Sequence, residues 1–212
     1  IKKGEPNYKV GKDKYEVYDY NPEYVWDNNG KMLLPRVWSQ DPNHVSLYRS
    51  RLGLPDGQEP NLADNLRFMF SDQMGRMYWR YFMWNFAGRQ NDLQGHGDNM
   101  HGNWLSGISF LDEARLGSQE HAPYYTQENP GRNTYFMLPL ILALLGLIFH
   151  YRKMPKDAFI LTLAFLFTGL AIVVYLNQKP YEPRERDYAY AGSFYFFAMW
   201  IGIGVYAIFD LL

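Results

Sequence analysis

Two long apolar segments with a dense charged stretch between them constrain this chain more than any other feature. Residues 158–176 carry no charge, and residues 193–212 are equally apolar until Asp210. A bilayer core of about 30 Å needs roughly 20 helical residues to cross. Both segments are therefore predicted to be transmembrane helices, with residues 177–192 at one membrane surface.

A third span is predicted at residues 134–151, where Pro139 comes early enough to be tolerated near a helix start. The sequence thus predicts an α-helical integral membrane protein fragment with three transmembrane helices in a region at 134–212. The outward-facing remainder, residues 1–133, is predicted to mix loops and helices. Because the chain begins at Ile1 and stops inside an apolar run, we expect it to be an internal piece of a longer protein.

Composition excludes several classes of function. The net charge of −1 disfavours a nucleic-acid partner, whose phosphates would favour a basic surface. The chain has no cysteine, so disulfides, thiolate catalysis and cysteine metal sites are excluded. His96, Asp98 and His101 are chemically suitable metal ligands, but their spacing matches no established motif. We therefore predict no metal site and no cofactor, and a divalent metal has no support.

The extramembrane region is predicted to contain one long amphipathic helix at residues 61–87, with Asn61 or Asp64 as its N-cap. Apolar residues recur there at helical spacing, and Gly88 suits its end. Aromatic and basic residues crowd its second half, which is typical of a helix lying at a membrane interface. A core helix of the extramembrane region is the open alternative. The aromatic residues are Tyr78, Trp79, Tyr81, Phe82, Trp84 and Phe86.

Residues 1–60 are predicted to be an irregular region with a few short strands. Turn-forming residues separate two candidate strands, at residues 15–20 and 32–37. The first of these alternates polar and apolar residues, as a half-buried strand does.

The short hairpin between the first two spans predicts the membrane topology. Its three basic residues, Arg152, Lys153 and Lys156, fall within five positions, and short basic loops favour the cytoplasmic side. Residues 1–133 and 177–192 would then share the outer face.

The charged loop is the predicted site of chemistry. Guanidinium groups such as those of Arg184 and Arg186 suit phosphate oxygens through paired charge-assisted hydrogen bonds. Neighbouring carboxylates can orient those arginines or take a proton from an attacking hydroxyl. Spacing alone leaves open the alternative that these charges pair with one another and only fold the loop.

Three segments resemble one bacterial family: RMYWRYFMWNFAGRQND (76–92), QGHGDNMHGNW (94–104) and NQKPYEPRERDYAYAGSFYFFAMW (177–200). It comprises large multi-span membrane proteins catalogued as a domain of unknown function. They are grouped with protein O-mannosyltransferase-like glycosyltransferases of the membrane-embedded GT-C class. The resemblance implies a multi-pass enzyme of the bacterial inner membrane. Such an enzyme transfers a sugar from a polyprenyl-phosphate-linked donor to a periplasmic protein or glycan acceptor.

This resemblance implies an acidic residue as catalytic base in the first external loop of the whole protein, outside this chain, and further spans as partners alongside the lipid bilayer. A non-catalytic membrane subunit that holds a partner complex is the alternative. A transporter is disfavoured because no charge lies in the middle of any span. We predict donor-phosphate binding by Arg184 and Arg186 with Lys179, catalytic assistance by Asp187 and Glu185, and sugar or interface contacts by Trp79, Trp84 and Tyr188.

Overall fold

A computed structural model describes residues 2–25, 31–181 and 187–211, which form two compact units, Ile1–Pro35 and Arg36–Leu212. The described chain is mostly helical. Its helices are α1 (Pro42–Leu52), α2 (Leu62–Arg67), α3 (Arg80–Phe86), α4 (Ser109–Leu116), α5 (Tyr124–Gln127), α6 (Leu138–Lys153), α7 (Pro155–Thr168), α8 (Leu170–Leu176) and α9 (Ala191–Leu211). A π-helix (Phe68–Trp79) joins α2 to α3, a 3-10 turn (Asp187–Tyr190) precedes α9, and the strands are β1 (Lys2–Val10), β2 (Tyr15–Glu23), β3 (Gly88–Arg89) and β4 (Asn133–Thr134).

The first unit is an antiparallel hairpin of β1 and β2, in which Tyr8 lies opposite Val17 and Val10 opposite Tyr15. The strand predicted at 15–20 is confirmed as part of β2. The strand predicted at 32–37 is wrong, because the backbone there is irregular and Leu34 has a φ of 54°. An extended strand does not tolerate that angle.

The long helix predicted at 61–87 is confirmed as one continuous helical segment from α2 through the π-helix to α3. Asn61 is its N-cap: its side chain accepts from the Asp64 amide at 3.1 Å, and the Asp64 carboxylate accepts from the Asn61 amide at 2.9 Å. This reciprocal pair is a capping box. Twelve central residues adopt π rather than α geometry, which the apolar spacing did not indicate.

The inner face of this segment belongs to the protein core. Phe68 packs edge-on against Tyr48 of α1, with ring centroids 5.2 Å apart. Tyr78 packs against Tyr190 at 5.5 Å, and Phe82 packs against Phe197 of α9 at 4.6 Å. Of the six rings in the aromatic run, those of Tyr78 and Phe82 are therefore buried, that of Trp79 is exposed, and the other three are partly buried.

Two helices in the described part of the chain are long and apolar enough to cross a membrane, judged by length and composition alone. They are Pro155–Leu176, with 22 residues, and Tyr188–Asp210, with 23. The first contains α7 and α8, which meet at Gly169. The predicted spans at 158–176 and 193–212 fall on these two helices. The predicted span at 134–151 corresponds to α6, whose 16 residues do not reach that length.

Helix α6 packs chiefly against α9, and α7 lies against both. The closest approach lies at Gly146 and Gly204, where the two backbones come together without side chains between them. A Cβ built on Gly146 would lie 2.0 Å from the Trp200 carbonyl oxygen, and one on Gly204 would lie 1.9 Å from that of Leu142. Glycine is required at both positions for this crossing.

Candidate functional site

The first residues of the charged loop are tied to the π-helix at the point where α8 ends. Asn177 leaves the helix with a φ of 44°. The Gln73 side-chain amide donates to Asn177 Oδ1 at 2.9 Å and to the Gln178 carbonyl oxygen at 3.0 Å. Tyr190, just before α9, donates its hydroxyl to Gln178 Oε1 at 2.9 Å. The loop therefore leaves and re-enters the helices at one place.

Arg36 contributes a second contact at this end of the helices. Its guanidinium donates to the Val174 carbonyl oxygen, and its carbonyl oxygen accepts from Asn177 Nδ2 at 3.4 Å. Its amide and that of Val37 both donate to Asn65 Oδ1. Burial lowers the pKa of Arg36. These bonds explain why residues 36 and 37 are not part of a strand: their amides already have a side-chain acceptor.

Lys179 is the predicted phosphate ligand whose surroundings the structure describes. Its Nζ lies 2.5 Å from His44 Nε2 of α1. His44 also contacts Asp41 at 3.4 Å and the Ser39 hydroxyl at 3.0 Å. Asp41 is the N-cap of α1, accepting from the Asn43 amide at 2.9 Å. Lys179 is thus half-buried and held beside the start of α1 by its contact with His44.

Arg51, at the other end of α1, lies against the residue that leads into the charged loop. Its guanidinium is 6.0 Å from the ring centroid of Tyr181 and donates to Asp72 of the π-helix. Burial alone would lower the pKa of Arg51. The hydrogen bond and charge of Asp72, with a smaller contribution from Tyr181, outweigh it and raise that pKa above its ordinary value. Arg51 therefore carries a positive charge at the edge of this site.

The structure describes the other predicted site residues of the loop only in part. Arg184, Glu185 and Arg186 lie outside the described residues. Asp187 opens the 3-10 turn before α9, and the structure describes nothing of its side chain. Tyr188 follows with 74% of its surface exposed. The roles assigned to these residues stay predictions.

The two predicted tryptophans take different positions. Trp79 is 52% exposed and stacks on Phe82, with ring centroids 5.1 Å apart. Trp84 lies under the Arg89 guanidinium at 3.9 Å and donates its indole N–H to the Asn91 carbonyl oxygen at 3.1 Å. Trp79 is therefore available to an interface or a ligand, whereas Trp84 supports the loop that follows α3.

The histidines of the glycine-rich loop lie in separate contacts. His101 Nδ1 is 2.8 Å from Asp98 Oδ1, and the His96 ring packs 5.4 Å from that of Tyr181. Across the described ranges no three His, Cys, Asp or Glu side chains are grouped as they would be around a metal ion. His96 instead belongs with Arg51 at the start of the charged loop.

Sequence reasoning missed most of the residues that surround this site. Asp72 and Gln73 did carry a signal, because two polar residues interrupt the apolar spacing of the long helix. A polar side chain buried without partners is costly, so such a pair indicates partners elsewhere. Arg36, His44 and Arg51 carried no comparable signal in the sequence.

Comparison with known proteins adds one finding. A family of unknown function (DUF8416) matches residues 1–70, about a third of the chain. No curated protein and no solved structure matches the chain.

Proposed function

We propose that the chain is part of a membrane-embedded glycosyltransferase that transfers a sugar from a polyprenyl-phosphate-linked donor to a periplasmic protein or glycan. The observation that supports this most is the gathering of basic side chains where a candidate membrane helix ends. Lys179 follows α8 by three residues, and Arg51 contacts Tyr181 two residues later. When the tail of a lipid-linked donor is in the bilayer, its phosphate lies at the membrane surface, where a membrane-spanning helix ends.

In this proposal the protein sits in a bacterial inner membrane, with residues 1–133 and 177–192 on the periplasmic side. Contacts within the second unit are consistent with a shared face, since Gln73 and His44 reach the 177–179 segment. Helix α6 would be the third span. At 1.5 Å per residue its 16 residues extend about 24 Å, so the bilayer would thin locally to match it.

Each loop residue has a distinct role in the proposal. Arg184 and Arg186 bind the donor phosphate through forked, charge-assisted hydrogen bonds, and Lys179 adds a point charge beside them. Glu185 and Asp187 orient the arginines or assist deprotonation of the acceptor. The exposed rings of Trp79 and Tyr188 are suited to stacking on a sugar or to the membrane interface. The main catalytic base would come from another part of the whole protein.

The test is complementation of a deletion strain, followed by comparison of its glycans with those of the parent. We expect a variant carrying Arg184→Ala and Arg186→Ala to insert and accumulate normally but to restore no transfer. Lys12→Ala with Lys14→Ala is the matched control, since it removes two exposed basic residues from the turn between β1 and β2 and leaves the basic hairpin that sets the topology intact. Full complementation by the first variant would remove the phosphate role, and a deletion strain with unaltered glycans would remove the proposed activity.

A further inference from the structure

A cluster of two arginines around one carboxylate joins α1 to the π-helix. Arg51 Nε donates to Asp72 Oδ1, and Arg76 Nε lies 3.5 Å from the same oxygen. The Asp72 side chain is only 5% exposed, whereas that of Arg51 is 24% exposed. The carboxylate is therefore enclosed, and Arg51 is the member of this Arg51–Asp72–Arg76 cluster that faces outward.

The Arg51 guanidinium is fixed by more than its ion pair. Its Nη1 donates to the His96 carbonyl oxygen at 3.2 Å. Gly97 has a φ of 104°, and a Cβ there would lie 3.0 and 3.2 Å from the two Nη atoms of Arg51. The backbone of residues 96–97 thus closes over one edge of the guanidinium. A side chain held in place before binding loses little conformational entropy when a ligand arrives.

Arg51 retains hydrogen-bonding capacity in this position. A guanidinium carries five N–H donors. The bonds to Asp72 and His96 engage Nε and Nη1, and Tyr181 makes a further side-chain hydrogen bond, so part of the donor set remains for a ligand. Its planar fork suits phosphate oxygens better than a lysine ammonium does. Tyr181 lies over the same group, so any ligand bound by Arg51 would lie beside the first residues of the charged loop.

We propose that the Arg51–Asp72–Arg76 cluster is a phosphate-binding site, with Arg51 as the direct ligand and Asp72 as the residue that positions it. The phosphate would be that of the polyprenyl donor or of a free phosphate, and both present the same oxygens to the guanidinium. The identity of the lipid rests on the proposed function. The anion chemistry rests on the geometry of the cluster.

Binding is tested on the full-length protein in detergent by titration calorimetry, separately from transfer. The probes are farnesyl phosphate, farnesol and inorganic phosphate. We expect the wild type to bind farnesyl phosphate, and Arg51→Ala to weaken that binding about 10- to 100-fold, as loss of a charge-assisted hydrogen bond does. Arg49→Ala is the control: Arg49 is on the same helix, where it pairs at 3.7 Å with the fully exposed Asp56. The Arg49→Ala variant should bind farnesyl phosphate with the affinity of the wild type.

Arg51→Lys keeps a positive charge beside Asp72 and is therefore the variant more certain to fold. We expect it to bind farnesyl phosphate about tenfold more weakly than the wild type, since the fork is lost. If inorganic phosphate binds with the same dependence on Arg51, the site recognises phosphate without the tail; if only farnesyl phosphate does, it recognises the lipid. The proposal is overturned if folded Arg51→Lys and Arg51→Ala bind as the wild type does, or if farnesol binds as tightly as farnesyl phosphate. Loss of transfer in the Arg184 and Arg186 variant with unchanged affinity in the Arg51 variants would refute this site alone.

Discussion

Gly146 gives the sharpest test of how α6 packs against α9. An added Cβ would lie 2.0 Å from the Trp200 carbonyl oxygen, whereas ordinary contacts begin at 3.4 Å. The difference, 3.4 − 2.0 = 1.4 Å, is the distance by which one backbone must move in Gly146→Ala. Because the opposing atoms are backbone rather than a flexible side chain, no rotamer change relieves the contact. Small residues at such crossings allow membrane helices to associate closely.

The cost can be bracketed from two opposing effects. Overpacking a close contact costs about 1–3 kcal/mol, and replacing glycine by alanine within a helix contributes about 1 kcal/mol in favour of the variant. Gly202→Ala on α9 isolates the second effect, because a Cβ at Gly202 meets nothing within 4 Å. We therefore expect Gly146→Ala to be less stable than Gly202→Ala by about 1–3 kcal/mol, and Gly204→Ala to behave like Gly146→Ala.

The assay is unfolding of each variant by increasing SDS in mixed micelles, followed by far-ultraviolet circular dichroism. The double variant at Gly146 and Gly204 should cost less than the sum of the two single variants, since one displacement relieves both contacts. If either single variant unfolds at the same SDS fraction as Gly202→Ala, the two helices do not cross here.

Two further predictions concern the loops after α3. The buried Asp112 carboxylate accepts from the Ser106 amide at 2.9 Å and from the Gly107 amide at 2.8 Å. Asp112→Ala should therefore lower the free energy of unfolding by about 2–4 kcal/mol, whereas Glu113→Ala, exposed on the same helix, should leave it unchanged. Equal values for the two would contradict the stabilisation of the Ser106–Gly107 loop by Asp112. Burial raises the pKa of Asp98, but hydrogen bonds from the Met100 amide and His101 outweigh it and lower that pKa below its ordinary value. The stabilisation by Asp98 is therefore complete above the ordinary carboxyl range and is lost as the pH falls through the lowered pKa. Hydrogen exchange at the Met100 amide, corrected for intrinsic rates, should lose protection only in that acid range, and Asp98→Asn should abolish the pH dependence.

Local features of this chain were predictable because their causes lie within a few residues. The alternation in residues 15–20 predicted a half-buried strand. β2 does begin at Tyr15, but both of its faces are exposed, so the pattern predicted the strand and not its burial. Asn61 carries its capping partner three residues later, so the start of the long helix could be found from the sequence. The strand predicted at 32–37 is wrong because of hydrogen bonds to a residue far away in the sequence. Its last two amides are taken by Asn65, 28 and 29 residues away, which no local pattern reveals.

The site shows the same limit at longer range. Gln73 is fully buried, and its partners Asn177 and Gln178 lie more than a hundred residues further along the chain. The sequence indicates that a polar residue on an apolar helical face needs a partner, but not which partner it finds. Because Gln73 bonds to Gln178, the charged loop begins beside the π-helix. Lys179 is the next residue and must therefore lie close to it. The next residues of the loop then lie near α1, where Lys179 contacts His44 and Tyr181 lies against Arg51.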